Sequence, residues 1–146
     1  MRVINKYASY EYTLFDRFEA GIVLIGSEVK SVKLGRVSLK DGFVKIVGGE
    51  LLLLNVLISP YSFADNESYE PKRTRKLLMH KKEILKLSQR LDIKRITLVP
   101  TAIYTKKGKI KLEIALAKGK MEFEKRETIR KKDLMREQEK ILKNIN

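Results

Sequence analysis

The chain has 146 residues, with 32 Lys+Arg against 18 Asp+Glu, a formal net charge of +14 and no cysteine. That length suits a sizeable core with room for a tail, and the missing thiols exclude disulfides and thiolate metal sites. No apolar run approaches the ~18–20 residues of a membrane span, and the first seven residues, Met1 to Tyr7, hold no apolar signal core; the expected setting is the cytoplasm, away from membranes.

Residues 1–71 hold 8 Lys+Arg and 9 Asp+Glu, residues 72–120 hold 16 and 3, and residues 121–146 hold 8 and 6. A surplus confined to one third of the chain marks a surface for a polyanion rather than general solubilisation. Nucleic acid comes before an acidic membrane here, because no long amphipathic basic helix accompanies the charge.

In chain order, Tyr10 to Ile25 is dense in β-branched and aromatic residues and reads as two short strands or one long bent one. Gly21 within it permits a bulge or a close backbone approach. Ser27 as N-cap, Glu28 in the first turn, Lys33 in the last and Gly35 at the exit predict a short helix with Val29, Val32 and Leu34 inward. Phe43 to Val47 alternates as a strand, and Gly48-Gly49 reverses it into a strand from Leu51 to Ile58. The four leucines Leu51 to Leu54 predict cover on both faces. Ser59 to Pro71 is a polar loop holding two of the three prolines.

The basic run follows, Lys72-Arg73-Thr74-Arg75-Lys76-Leu77-Leu78-Met79-His80. Pro71 disfavours helix at Glu70, so the run enters extended and its side chains alternate. Arg73, Arg75, Leu77 and Met79 share one face; Thr74, Lys76, Leu78 and His80 share the other. A face carrying cations, an apolar side chain and an imidazole can pair with phosphate and pack on unstacked bases, as folded RNA is commonly read. The same pattern also allows Leu78 to be core. His80 with Glu83 resembles a capping box opening a helix from about Lys81 to Arg90, with Ile84, Leu87 and Leu91 inward and Lys82, Lys86 and Arg90 outward. Ile96 to Tyr104 is a strand in which Pro100 predicts an edge or bulge. Lys106-Lys107-Gly108-Lys109 turns it into the alternating stretch Lys111 to Leu116. Some six strands joined mostly by hairpins, with two short helices, predict a mainly β fold, a small antiparallel barrel. Residues 118–146 have high helix propensity but a sparse apolar seam, so this tail is expected to be disordered, or helical when docked on a partner.

Little points to an enzyme. One histidine and no cysteine allow no His-rich or thiolate metal cluster, no strand–turn–helix elbow surrounds a serine, and His80 reads better as a cap than as a catalytic base. Glu19 and Glu28 could meet in space, but paired surface acids are usually solvated.

The chain resembles the SsrA-binding protein (small protein B) family over nearly its whole length. The resemblance rests on Asn5-Lys6, Tyr12, Phe18-Glu19-Ala20-Gly21-Ile22, Gly26-Ser27-Glu28-Val29-Lys30-Ser31, Leu39-Lys40-Asp41 and Ile58-Ser59-Pro60-Tyr61. It continues through Pro71, Arg73-Thr74-Arg75-Lys76-Leu77-Leu78, Thr97-Leu98-Val99-Pro100, Leu116-Ala117-Lys118-Gly119-Lys120 and Lys125-Arg126-Glu127. It implies an oligonucleotide-binding-like barrel that grips the tRNA-like domain of transfer-messenger RNA and brings it to stalled ribosomes for trans-translation, standing in for an anticodon arm. The implied RNA contacts are Asn5, Tyr12, Glu19, Leu78 and His80, with Lys6, Gly21, Arg73, Thr74, Arg75, Lys76, Lys118, Gly119 and Lys120 around them. The implied tail residues, Glu124, Lys125, Arg126, Ile141, Leu142 and Lys143, would engage the ribosome at its decoding region and messenger channel. Phe123 stands where many members carry an aromatic or histidine, and Asp92-Ile93-Lys94-Arg95 replaces a usual glycine-containing turn. The resulting expectation is a non-enzymatic adaptor without cofactor, a monomer when free, with a domain at 1–120 and a tail at 121–146. The alternatives are a general structured-RNA-binding barrel or ribosome-associated protein, and an RNA-processing enzyme.

Overall fold

The computed structural model describes the backbone of residues 1–64, 67–93, 95–120 and 122–145, and the side chains of these except 122–124 and 139–145. Its strands are β1 (Arg2–Ile4), β2 (Tyr12–Ile22), β3 (Val37–Ser38), β4 (Phe43–Val47), β5 (Glu50–Leu54), β6 (Leu57–Ile58), β7 (Arg75–Leu78), β8 (Ile96–Lys106) and β9 (Lys109–Gly119). Its helices are α1 (Lys6–Glu11), α2 (Gly26–Lys33), α3 (Lys81–Leu91) and α4 (Glu122–Ile145). The mainly β expectation holds. Strands β8, β4, β5, β7, β2 and β9 follow one another in an antiparallel ring that closes through β8–β9, with β1 added along the far half of β8. The ring is not a uniform barrel: β4 meets β8 at one residue pair, Val44 opposite Leu98, whereas β8 and β9 pair along their whole length.

Two reversals follow directly from turn chemistry. Val47 pairs Glu50 across Gly48 (φ 57) and Gly49 (φ 77), the left-handed pair that a two-residue hairpin turn needs. Lys107 (φ 50) and Gly108 (φ 77) do the same between Lys106 and Lys109. Inside the ring Leu51, Leu53, Leu77, Leu98, Ile103 and Leu112 are buried, while Leu52 and Leu54 are only partly covered, so the four-leucine run is covered fully on one face alone. Helix α3 closes one end of this core with Leu87, flanked by Ile84 and Leu91 as the spacing predicted. A second, smaller cluster seats α1 outside the sheet through Ala8, Val99 and Ala117, with Tyr12 and Leu14 against it.

Pro100 marks a bulge, where the β8–β9 register shifts between Pro100 and Ala102. One residue bonds the carbonyls at the bulge and one beside it: the Asn5 backbone N–H donates to Thr101 O (2.8 Å) and its Nδ2 to Pro100 O (2.8 Å) and to Leu39 O (3.1 Å), ahead of β4. Asn5 therefore pins α1 to the bulge.

Besides the leucine run, Leu34 is corrected, foreseen as inward but 60% exposed, and so are four further expectations. The strand foreseen from Leu51 to Ile58 breaks at Asn55 (φ 60), a residue that tolerates the left-handed region, and its second half pairs with β3 instead. Helix α2 starts at Gly26, one residue before the foreseen cap; the Glu28 carboxylate accepts from the Ile25 N–H (3.1 Å) at its entry. His80 stands at the N-cap of α3 but caps with its backbone carbonyl, which accepts from Glu83 and Ile84, and its imidazole makes no capping bond. Glu19 and Glu28 do not meet: the first is exposed on β2, the second is buried beneath Arg73 and Arg75. The tail, foreseen as disordered or helical, is a helix from Glu122 to Ile145.

Candidate nucleic-acid interface

The alternation foreseen for the basic run is present, and its two faces differ sharply. Thr74, Lys76, Leu78 and His80 are exposed, Leu78 to 53%, whereas Arg75 and Leu77 are buried, with Arg73 and Met79 partly covered beside them. Leu78 is therefore a surface residue and not core.

Arg75, foreseen as an RNA contact, is an internal tie. Its side chain is fully buried, with Nε donating to Glu28 Oε2 (2.8 Å), Nη1 to Val56 O (2.8 Å) and Arg73 O (3.1 Å), and Nη2 to Pro71 O (3.0 Å) and the Tyr69 hydroxyl (3.3 Å). Arg73 bonds the same Glu28 carboxylate. Burial alone would raise the Glu28 carboxyl, but the hydrogen bonds from Arg73, the Ile25 N–H and Arg75 outweigh it and hold the group below the usual carboxylate range. Burial and the neighbouring Glu28 push the Tyr69 phenol up, so it stays protonated beside them. This cluster fastens the polar loop and the start of β7 to α2, and so fixes which face of β7 looks outward.

The outward face continues across the sheet by register. Leu78 lies opposite Gly21 on β2, Gly21 opposite Lys111 on β9, Lys111 opposite Tyr104 on β8, and Tyr104 opposite Arg2 on β1. Two pairs along, and so on the same face, Glu19 lies opposite Glu113. Gly21 is the low point of this row: a Cβ there would come within 3.3 Å of Leu78 Cβ. Its bareness leaves a cavity of about 370 Å³ walled by Ile22, Leu78, Lys109 and Lys111. On the other side of Leu78 an apolar cavity of about 680 Å³ runs between the β4–β5 turn and α3, past Met79, Ile84 and Leu85, with Lys76 and Lys81 at its lining. An apolar ridge between two hollows, within a basic sheet, suits unstacked bases flanked by phosphates.

Carboxylates interrupt the basic face, and each of these is held by neighbours: Glu50 by Lys76 at 3.4 Å, and Glu113 and Glu19 as follows. Glu113 bonds Arg17 (2.8 Å) and the Thr101 hydroxyl (2.8 Å); its partial burial raises the carboxyl, but Arg17 and Thr101 outweigh that and lower it. Glu19 Oε2 accepts from the Tyr104 hydroxyl (2.8 Å) and Lys106 Nζ (3.2 Å), and these two bonds keep the carboxyl below its ordinary value. Partial burial first, and the bond to Glu19 next, push the Tyr104 phenol up to about 12.

The remaining foreseen contacts gather elsewhere, around α1. Tyr12 lies opposite Gly119, and Lys118 opposite Thr13, on the β2–β9 pairing. Lys6 and Lys118 are exposed. Lys120 Nζ donates to Ser9 O (2.8 Å) and Thr128 Oγ1 (2.6 Å), joining α1 to α4. Asn5 is nearly buried, with its amide nitrogen already bonded to Leu39 O and Pro100 O. Lys125 and Arg126 lie in the first turns of α4, while the side chains of Glu124, Ile141, Leu142 and Lys143 fall outside the described residues. Sequence reading thus names two surface groups, one about Gly21 and Leu78 and one about α1. It misses Arg2, Tyr104, Lys106 and Lys111, which only register joins to Glu19 and Gly21.

Comparison with known proteins finds similarity over nearly the whole chain. The sequence model of the family described as SmpB protein matches residues 2–144. The SsrA-binding protein of Persephonella marina is 50% identical over 139 residues, covering 95% of this chain and 91% of its own. That of Sulfurihydrogenibium sp. is 52% identical over the same shares, and that of Streptococcus pneumoniae is 46% identical over 97% of this chain and 92% of its own. Among solved structures, a chain from "tmRNA-SmpB: a journey to the center of the bacterial ribosome" superposes with a TM-score of 0.70 at 38% identity, covering 83% of this chain and 85% of that one.

Proposed function

The chain belongs to the SmpB protein family, and we propose that it is the RNA-binding adaptor that holds the tRNA-like domain of transfer-messenger RNA and brings it to stalled ribosomes for trans-translation, in the place of an anticodon arm. The family match across residues 2–144, to relatives named for binding SsrA, carries this reading. The basic sheet supports it with a physical route. The surplus of residues 72–120, with 16 Lys+Arg and 3 Asp+Glu, draws the RNA in, and phosphate neutralisation makes that step salt-sensitive. Shape then selects: Leu78 and the floor at Gly21 pack on exposed bases or sugars, Lys76 and His80 flank them, and Glu19 accepts a hydrogen bond from the RNA.

In the same reading residues 1–120 are the RNA-binding unit, and residues 121–146 are the part that engages the ribosome through Lys125 and Arg126 early in α4 and Ile141, Leu142 and Lys143 near its end. The protein acts by binding, with no reaction assigned to it, and works in the cytoplasm. No helix is long and apolar enough to cross a membrane among the described residues.

Leu78→Ala combined with His80→Ala tests the surface. Both side chains are exposed, so the fold should persist. Specific binding of the tRNA-like RNA should weaken by about tenfold or more, with little change in the salt dependence. Unchanged affinity in the double variant would remove this surface from the mechanism.

A further inference from the structure

Glu19 is an anomaly on a surface meant for a polyanion, since a carboxylate repels phosphate. Its surroundings give it a defined geometry. Both of its hydrogen bonds fall on one oxygen, Oε2, from the Tyr104 hydroxyl at 2.8 Å and Lys106 Nζ at 3.2 Å. Among the described residues no hydrogen bond reaches Oε1, and the side chain is 38% exposed. Tyr104 is itself held, with the Arg2 guanidinium 5.0 Å from its ring centroid. Left alone, an exposed glutamate would sample many rotamers and swing toward whichever cation was nearest, Lys111 among them. Two donors on the same oxygen remove that freedom and leave one acceptor oxygen pointed away from them.

Taking this face for the RNA surface proposed above, we infer that Tyr104 and Lys106 are positioning residues that fix Glu19 so that Oε1 accepts from a hydrogen-bond donor of the RNA, a base amino group or a ribose hydroxyl. Neither residue touches the RNA in this role. They convert a repulsive charge into a selective acceptor: a group with a donor at that spot gains a charge-assisted bond, and a phosphate or carbonyl there is rejected. Preorganisation is the gain, because the bound orientation exists before the RNA arrives.

The test is a double-mutant cycle on the full chain, with Kd for the tRNA-like RNA as the readout. Tyr104→Phe keeps the ring and removes only the hydroxyl. It should weaken binding about threefold to tenfold in the wild type and have no effect in a Glu19→Ala background. Equal losses in both backgrounds would overturn the inference, since a merely structural hydroxyl would act whether or not Glu19 is present. Lys106→Met should weaken binding without changing the salt slope; a slope reduced by about one would make Lys106 a phosphate contact instead. Carbon-detected NMR supplies a readout without RNA: in Tyr104→Phe the Glu19 carboxyl should titrate at higher pH than in the wild type, and an unmoved titration would show that the bond does not hold it. Repeating the cycle with 2′-deoxy substitutions in the facing nucleotides separates the two donors: loss of the Glu19 effect names the ribose hydroxyl, and its survival names the base amino group. Wild-type protein that showed no preference for the RNA would contradict the functional reading itself, whereas preserved preference with additive losses would overturn only the positioning.

Discussion

Glu28 shows how a single buried carboxylate can decide what a neighbouring strand presents. Arg75 is wholly enclosed, and among the described residues Glu28 is its only charged partner, so Glu28→Ala would leave a buried guanidinium without that counter-charge. We expect a loss of about 3–5 kcal/mol at pH 7, measured by urea denaturation. The folded Glu28 carboxyl lies below its ordinary value of 4.5, so its stabilisation is complete above that pH and is lost as pH falls through the lower, folded value. Stability of the wild type should therefore fall on acidification from about pH 5 downward, and Glu28→Gln should flatten that decline; equal acid slopes in the two proteins would contradict the assignment. Arg75 also marks the limit of sequence reading at this scale. Alternation separates Arg73, Arg75, Leu77 and Met79 from Thr74, Lys76, Leu78 and His80, but nothing in the run says which set is inside. The deciding partner, Glu28, is 47 residues away, and its position beneath β7 is a property of the ring.

Elements were legible where local chemistry sets the backbone. Gly48-Gly49 and Lys107-Gly108 supply left-handed residues between alternating runs, and both became two-residue hairpins. Pro100 announced its bulge because it cannot donate to a ladder. The three-residue β1, the two-residue β3 and the six-residue α1 were not seen, since none is long enough to show a period. β1 and the seat of α1 exist because β8 offers an open edge and a bulge for Arg2 to Asn5 to fill, and β3 exists because β6 turns out of the ring to pair with it. Helix α4 has the opposite character, with high propensity and a poor seam, and its long run of exposed side chains from Ile129 to Gln138 leaves it little to bury against. Its proposed work lies on the ribosome. Deleting residues 121–146 should leave RNA affinity within about twofold of the wild type while abolishing peptide tagging in a reconstituted assay; tagging by the truncated protein would remove the helix from the mechanism.

At the scale of the whole molecule, the ring gathers residues scattered through the chain onto one outer face. Arg2, Glu19, Gly21, Leu78, Tyr104 and Lys111 come from five strands, and only the register places them in adjoining rows. Composition points to the middle third of the chain as a surface for a polyanion; it could not foretell that β1 and β2, from the nearly neutral first part, lie beside it in the same sheet. In the proposed function the charge draws RNA of any kind, while Leu78, Gly21 and an oriented Glu19 choose among folds. The central claim is therefore one of selection, and sequencing the RNA that co-purifies with the full-length protein from its own cells tests it most directly. The account predicts a single dominant species, transfer-messenger RNA, that persists through washes at raised salt; a broad mixture of ribosomal and transfer RNAs with no such enrichment would contradict it.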